Sequence, residues 1–158
     1  MTIHSAKIHW QLKDGESFAD NRYSRAHIWS FDGGTVVPAS SSPAVVPIPM
    51  SSADAIDPEE ALVASLSSCH MLWFLSVAAK RGFTVINYMD KPRGTMGRNA
   101  VGKLAMIRVD LAPAAEFSGE KYPTAEEIEA MHHIAHESCF IANSVTADVA
   151  CRPIHESN

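Results

Sequence analysis

The first dozen residues alternate, with Ala6, Ile8, Trp10 and Leu12 set against Lys7, His9 and Gln11. A period of two is that of a half-buried strand. After the polar Asp14-Gly15-Glu16-Ser17 the alternation returns over 25–31, and Gly33-Gly34 turns the chain into Thr35-Val36-Val37. Residues 1–39 therefore predict a three-strand meander. Between 40 and 55 the pattern gives way to serines and to Pro43, Pro47 and Pro49, which predict a loop. Asp57-Pro58-Glu59-Glu60 then opens a helix: Asp57 can cap it, Pro58 suits its first position, and Glu60 can reach back to close a capping box. It runs over 57–81, with Lys80-Arg81 at its negative end and Gly82 as a stop.

Residues 61–79 carry no Asp, Glu, Lys or Arg, a length near the minimum for a membrane span. The middle of that stretch, Ser65-Leu66-Ser67-Ser68-Cys69-His70, is too polar for a lone span. A central helix buried on nearly all sides by its own protein is the expectation. Strands are predicted over 83–111, at 83–88 and 104–111, with glycines 94, 97 and 102 breaking the interval into turns. A second helix covers 123–139, where Thr124 and Glu127 hold capping-box positions, and a last strand covers 145–151. No repeat or linker divides the chain, so 1–158 reads as one domain of α+β class.

Apolar residues make up 46% and charged ones 20%, which excludes disorder and low-complexity classes. A formal charge of -5 builds no basic face for nucleic acid. Three cysteines do not suggest a secreted disulfide scaffold, and the N-terminal residues lack the layout of a signal peptide. A cytoplasmic location, with no membrane partner, is the expectation.

Two cysteines stand where chemistry is possible. Cys69 lies deep in the central helix, and Cys139 ends the second helix before Phe140-Ile141-Ala142-Asn143-Ser144. A lone buried cysteine is usually a small inert hydrophobe. A reactive one must be a thiolate, and an unperturbed thiol is only about 3% ionised at pH 7. The helix dipole fades too soon to help several turns in, so a cation must come from elsewhere. Arg25 and Arg22 in the N-terminal strands are candidates, and a buried arginine beside one thiolate needs a carboxylate, Glu59 or Glu60. Glu59 and Cys69 are ten positions apart on one helix, about 15 Å along its axis, and cannot meet within one chain. If two copies of the helix cross antiparallel near Ala64-Ser65, Glu59 of one approaches Cys69 of the other.

A rival constellation is a metal site. His132, His136 and Cys139 fall on one face of the second helix, with His133 beside them, though no second ligand pair accompanies them. Cys151 reads as a packing residue, and Trp73, Phe74, Phe83 and Phe117 as core. His27 and His70 either line a pocket or simply pack. Nothing resembles a phosphate loop or a dinucleotide fingerprint.

The stretch from Asp57-Pro58-Glu59-Glu60 through Ser67-Ser68-Cys69 resembles the central-helix motif of the OsmC/Ohr family of thiol peroxidases. The stretch from Ala135-His136-Glu137-Ser138-Cys139 to Asn143-Ser144 resembles that family's second-cysteine motif. The resemblance implies two antiparallel sheets around a long buried helix, in an intertwined homodimer with shared active sites. It implies reduction of organic hydroperoxides, with Cys69 as the peroxidatic cysteine, Cys139 as the resolving one, Glu59 as the acidic residue, and Arg25 (otherwise Arg22) as the arginine. It also implies a Cys69–Cys139 disulfide reopened by an external dithiol, in some members a lipoylated protein, with no metal or organic cofactor. The departure at His70-Met71-Leu72-Trp73 marks a divergent branch. A non-catalytic dimeric binding protein on the same fold is the alternative reading.

Overall fold

The computed structural model describes residues 1–154. In chain order the elements are β1 (Ala6–His9), β2 (His27–Phe31), β3 (Val36–Ala39), α1 (Pro58–Lys80), β4 (Thr84–Met89), β5 (Arg93–Arg98), β6 (Leu104–Leu111), β7 (Ala114–Ser118), α2 (Ala125–Ser138) and β8 (Asp148–Cys151), with a 3-10 turn at Ala142–Ser144 before the last strand. The chain divides into two compact units, Met1–Ala61 and Leu62–Asn158.

In the first unit β1, β2 and β3 form the expected antiparallel meander, with Ile8 opposite Trp29 and Trp29 opposite Val37. The proline-rich loop is tied back to it: the Ser40 N–H donates to the Ile56 carbonyl at 3.0 Å, and the Ser52 N–H donates to Ser40 Oγ at the same distance. The start of α1 is built as the sequence indicates. The Glu60 N–H donates to Asp57 Oδ1 at 2.7 Å, and the Asp57 N–H donates to Glu60 Oε2 at 3.3 Å, a reciprocal box.

In the second unit α1 is the spine of two cores. Phe74, Val77 and Ala78 pack with Phe83 and with Met131 and Ala135 of α2. Leu66, one turn and more earlier, packs with Val109 and Leu111 of β6. Leu66 and Phe74 are fully buried, each worth roughly 1.5–3 kcal/mol in transfer free energy. By length and composition α1 would pass for a membrane span, yet its inner face is taken up by these cores. Within one chain the cover is one-sided, because Ala64, Ser68 and Leu72, at i, i+4 and i+8, are exposed. The helix stops as Gly82 predicts: with φ at +77°, Gly82 lets its own N–H reach the Ala79 carbonyl and the Phe83 N–H reach that of Ala78. These two bonds make a Schellman motif.

The strands of this unit fall into two sheets, β4-β7 and β5-β6-β8, so that the described residues hold three sheets where two antiparallel ones were expected, and β6 pairs with β8 in parallel. Two of these strands depart from the sequence reading. Residues 93–98, expected as turns, form β5, and β7 was not anticipated. The glycines explain the first difference. A Cβ at Gly94 would stand 2.6 Å from Val63 Cγ2 of α1 and 2.7 Å from Met106 Sδ, and one at Gly97 would stand 2.5 Å from Ile107 Cδ1. Gly94 admits the helix to the face of the sheet, a role glycine plays inside strands as well as at turns. Replacing it by alanine forces the branched Val63 and its neighbours apart. Gly94→Ala is expected to destabilise the fold by about 1–3 kcal/mol, read as a lower midpoint in urea with an unchanged slope.

Candidate active site

Cys69, Leu72, Trp73 and Ser76 follow one another at helical spacing on α1 and, with Phe140, line a cavity of about 290 Å3. Phe140 stands edge-on to Trp73, with ring centroids 5.5 Å apart. Cys69 is half-buried and so reachable from this apolar cavity. Cys139 is the C-cap of α2, its N–H donating to the His136 carbonyl, and it is 1% exposed. Its sulfur accepts a hydrogen bond from the Ala142 N–H at 3.4 Å, which the tight turn after the helix supplies. Burial pushes the Cys139 thiol above the usual range. The Ala142 N–H opposes that rise, and the nearby Cys69 thiol adds to it. The two sulfurs predicted from distant parts of the sequence are therefore neighbours. One is half-buried at a cavity, and the other is buried.

Arg25 and Glu59 belong to the first unit and line one cavity there, of about 530 Å3, whose walls include Ile8, Trp10, Phe18 and Tyr23. The Arg25 guanidinium lies 3.8 Å over the Tyr23 ring. It donates to the Tyr23 carbonyl and to both oxygens of Asn21, at 3.0 Å and 2.7 Å. Glu59 Oε2 is buried without a hydrogen-bond partner. Among the described residues the ion pairs gather elsewhere, where Asp110 and Asp148 hold Arg108. Arg22 is exposed and is not part of the cavity wall. His27 does line it; its Nδ1 lies 2.8 Å from the Arg25 carbonyl while its Nε2 accepts from Trp29, which assigns the Nδ1–H tautomer.

The histidines cluster differently from the helical-face expectation. His132 of α2 meets His70 of α1 and Cys151 of β8, and their donor atoms all lie within 4.8 Å of one another. Neither His136 nor Cys139 joins that group, because the C-cap turns Cys139 inward toward Cys69. Cys151 packs against the Leu66, Val109 and Leu111 core, as read from the sequence, and in addition belongs to this polar cluster. Burial, with a smaller contribution from His136, pushes His70 down to about 4 against the opposing field of Asp90. Burial, then Asp90 and Glu129, pushes Cys151 up to about 12. One signal in the sequence could have flagged His70: it stands between Leu66 and Phe74 on the buried stripe of α1, where a polar side chain needs a partner.

Comparison with known proteins places the molecule. The model of the family described as OsmC-like protein matches residues 51–152. An OsmC-like protein of unknown function from Vibrio cholerae is 53% identical over 98% of this chain and 100% of its own, with a TM-score of 0.96. An organic hydroperoxide resistance protein from Elizabethkingia anophelis shares the fold at 15% identity, covering 96% of this chain and 95% of that one, with a TM-score of 0.66. The organic hydroperoxide resistance protein OhrB of Bacillus subtilis does so at 16% identity over 95% and 98%, with a TM-score of 0.63. A search of the curated proteins found no match. A family model spanning most of the chain and a solved relative more than half identical lead to one conclusion: the chain belongs to the OsmC-like protein family.

Proposed function

We propose that this protein is a two-cysteine peroxidase that reduces organic hydroperoxides to alcohols, in defence against oxidative stress in the cytoplasm. The observation that carries the reading is the juxtaposition of an accessible Cys69 with a buried Cys139 thiol beside an apolar cavity. The Cys69 thiolate attacks the distal peroxide oxygen, the O–O bond breaks, and the alkoxide leaves as the alcohol after taking a proton. Cys69 is left as a sulfenic acid. The Cys139 sulfur attacks it, forming the Cys69–Cys139 disulfide and releasing water. An external dithiol, such as a lipoylated protein, then reduces that disulfide and is itself oxidised. Trp73, Leu72 and Phe140 favour a substrate with an alkyl body over hydrogen peroxide. This chemistry uses no metal or organic cofactor.

The cation belongs to Arg25, with Glu59 as its carboxylate, in a site shared between two copies of the chain. Three features support this assembly. Glu59 Oε2 is buried without a hydrogen-bond partner, Arg25 shares its cavity, and α1 exposes Ala64, Ser68 and Leu72. Two α1 helices crossing antiparallel at Ala64 cover that stripe and bring Glu59 of one chain toward Cys69 of the other.

Treatment with one equivalent of cumene hydroperoxide is expected to lower the intact mass, under non-reducing conditions, by two hydrogens. Cys139→Ser is left by one equivalent with a Cys69 sulfenic acid, which further equivalents of peroxide carry on to sulfinic acid, and Cys69→Ser abolishes peroxide reduction; a Cys69→Ser protein as fast as wild type overturns the mechanism.

The shared site has its own test. Glu59→Gln is expected to slow the reaction by about 10²-fold, as loss of one preorganised electrostatic contact does. Co-refolding Cys69→Ser with Glu59→Gln should restore about a quarter of the wild-type rate, since half of the mixed dimers' sites are then complete. No recovery in a mixture shown to exchange subunits places Glu59 outside a shared site.

A further inference from the structure

His70, His132 and Cys151 converge from three elements of the second unit, α1, α2 and β8, at sequence separations that no local motif could encode. His70 Nε2 and His132 Nδ1 lie 2.9 Å apart. Cys151 Sγ lies 3.5 Å from the first and 3.9 Å from the second. Zinc with bonds of 2.0–2.1 Å to nitrogen and 2.3 Å to sulfur, held tetrahedrally, has edges of about 3.3 Å between nitrogens and about 3.6 Å between nitrogen and sulfur. The triangle in this protein matches those edges to within a few tenths of an ångström.

The frame around the triangle is rigid. His70 and His132 are 1% and 2% exposed, their rings are parallel to within 7°, and Phe74 stacks on His132 with centroids 4.1 Å apart. Three donor atoms this close together need a proton or a cation among them. A proton satisfies one pair at a time, leaving the thiol on the longer contacts, whereas a metal ion satisfies all three. Two carboxylates stand in the surroundings, Asp90 acting on both His70 and Cys151 and Glu129 on Cys151, against His136, whose charge opposes a cation at His70 more strongly than Asp90 supports one. On its outer side the cluster opens to a cavity of about 190 Å3 lined by Glu129, His133 and His136. That cavity gives an ion an entry path and has room for a fourth ligand.

We propose that His70, His132 and Cys151 bind a zinc ion, with the fourth coordination position facing the cavity beside His136 and Glu129. Two imidazole nitrogens and one thiolate suit a borderline-soft dication over calcium or magnesium, which take oxygen. The site is separate from the Cys69–Cys139 pair, since Cys69 faces its own cavity with Leu72, Trp73 and Ser76. It stands whether or not the peroxidase reading does.

The test uses the full chain without a histidine tag, reduced and stripped of metal by a chelator. Cobalt(II) is expected to bind one per chain and to give the intense visible bands of a tetrahedral complex with a thiolate-to-cobalt transition in the near ultraviolet, and zinc should bleach them. The thiolate transition is lost in Cys151→Ser and kept in both Cys69→Ser and Cys139→Ser. A second readout needs no variant. With zinc at ten times its dissociation constant, alkylation of Cys151 in the wild-type protein, followed by peptide mass mapping, should slow about tenfold while that of Cys69 is unchanged. Absence of a saturable one-to-one complex overturns the proposal, as does a thiolate band that depends on Cys69 or Cys139, or Cys151 alkylation indifferent to zinc.

Discussion

A 23-residue helix with no charge between its first turn and its last residue has to be covered, and most of the second unit is arranged around that requirement. The stripe Leu66, His70, Phe74 and Val77 divides its burial between two clusters, one shared with α2 and the other with β6. Gly94 exists as glycine because β5 must approach the helix more closely than a methyl group allows. Covering one side leaves the other bare, and the bare stripe is what a second copy of the helix would bury. The apolar character of α1 is thus the cause of both the packing around it and the assembly proposed for it.

The polar groups that this packing encloses are few and grouped. A buried imidazole or thiol costs free energy unless it finds a partner, and here each finds one from another element: Cys139 with Cys69, His70 with His132 and Cys151. The two groups differ in access. Cys69 faces an apolar cavity, and His132 and Cys151 face a polar one. Adjacent residues of one helix, Cys69 and His70, thereby enter two different groups, because successive side chains diverge by about 100° around the axis.

Local signals were legible in the sequence and long-range ones were not. The caps at Asp57 and Thr124 and the Gly82 stop involve residues within five positions of one another, and all three form as read. The α+β order followed from the same punctuation. β5 was missed because glycines 94 and 97 carry one letter for two roles, turn and close approach, and only the neighbours Val63, Met106 and Ile107 distinguish them. β7, Ala-Ala-Glu-Phe-Ser, has no alternating pattern, and its pairing with β4 is non-local. Cys69, Cys139, Arg25 and Glu59 came from two motifs and a resemblance. The His70–His132–Cys151 cluster could not, since its members are 62 and 19 residues apart.

Ser67 donates a hydrogen bond to Asp90 Oδ2 at 2.5 Å, and the other oxygen of that carboxylate accepts from the Ala112 N–H at 2.8 Å. Two residues before Cys69, this contact ties α1 to the β4–β5 loop and, through Asp90, to the loop that joins β6 to β7. A side-chain atom rides about 5 Å from a helix axis, so a twist of only about ten degrees would swing the sulfur by about 1 Å. Displacements of that size cost a reacting group about 10²-fold in rate. A serine and an aspartate thus act as a torsional stop, setting where the Cys69 sulfur points.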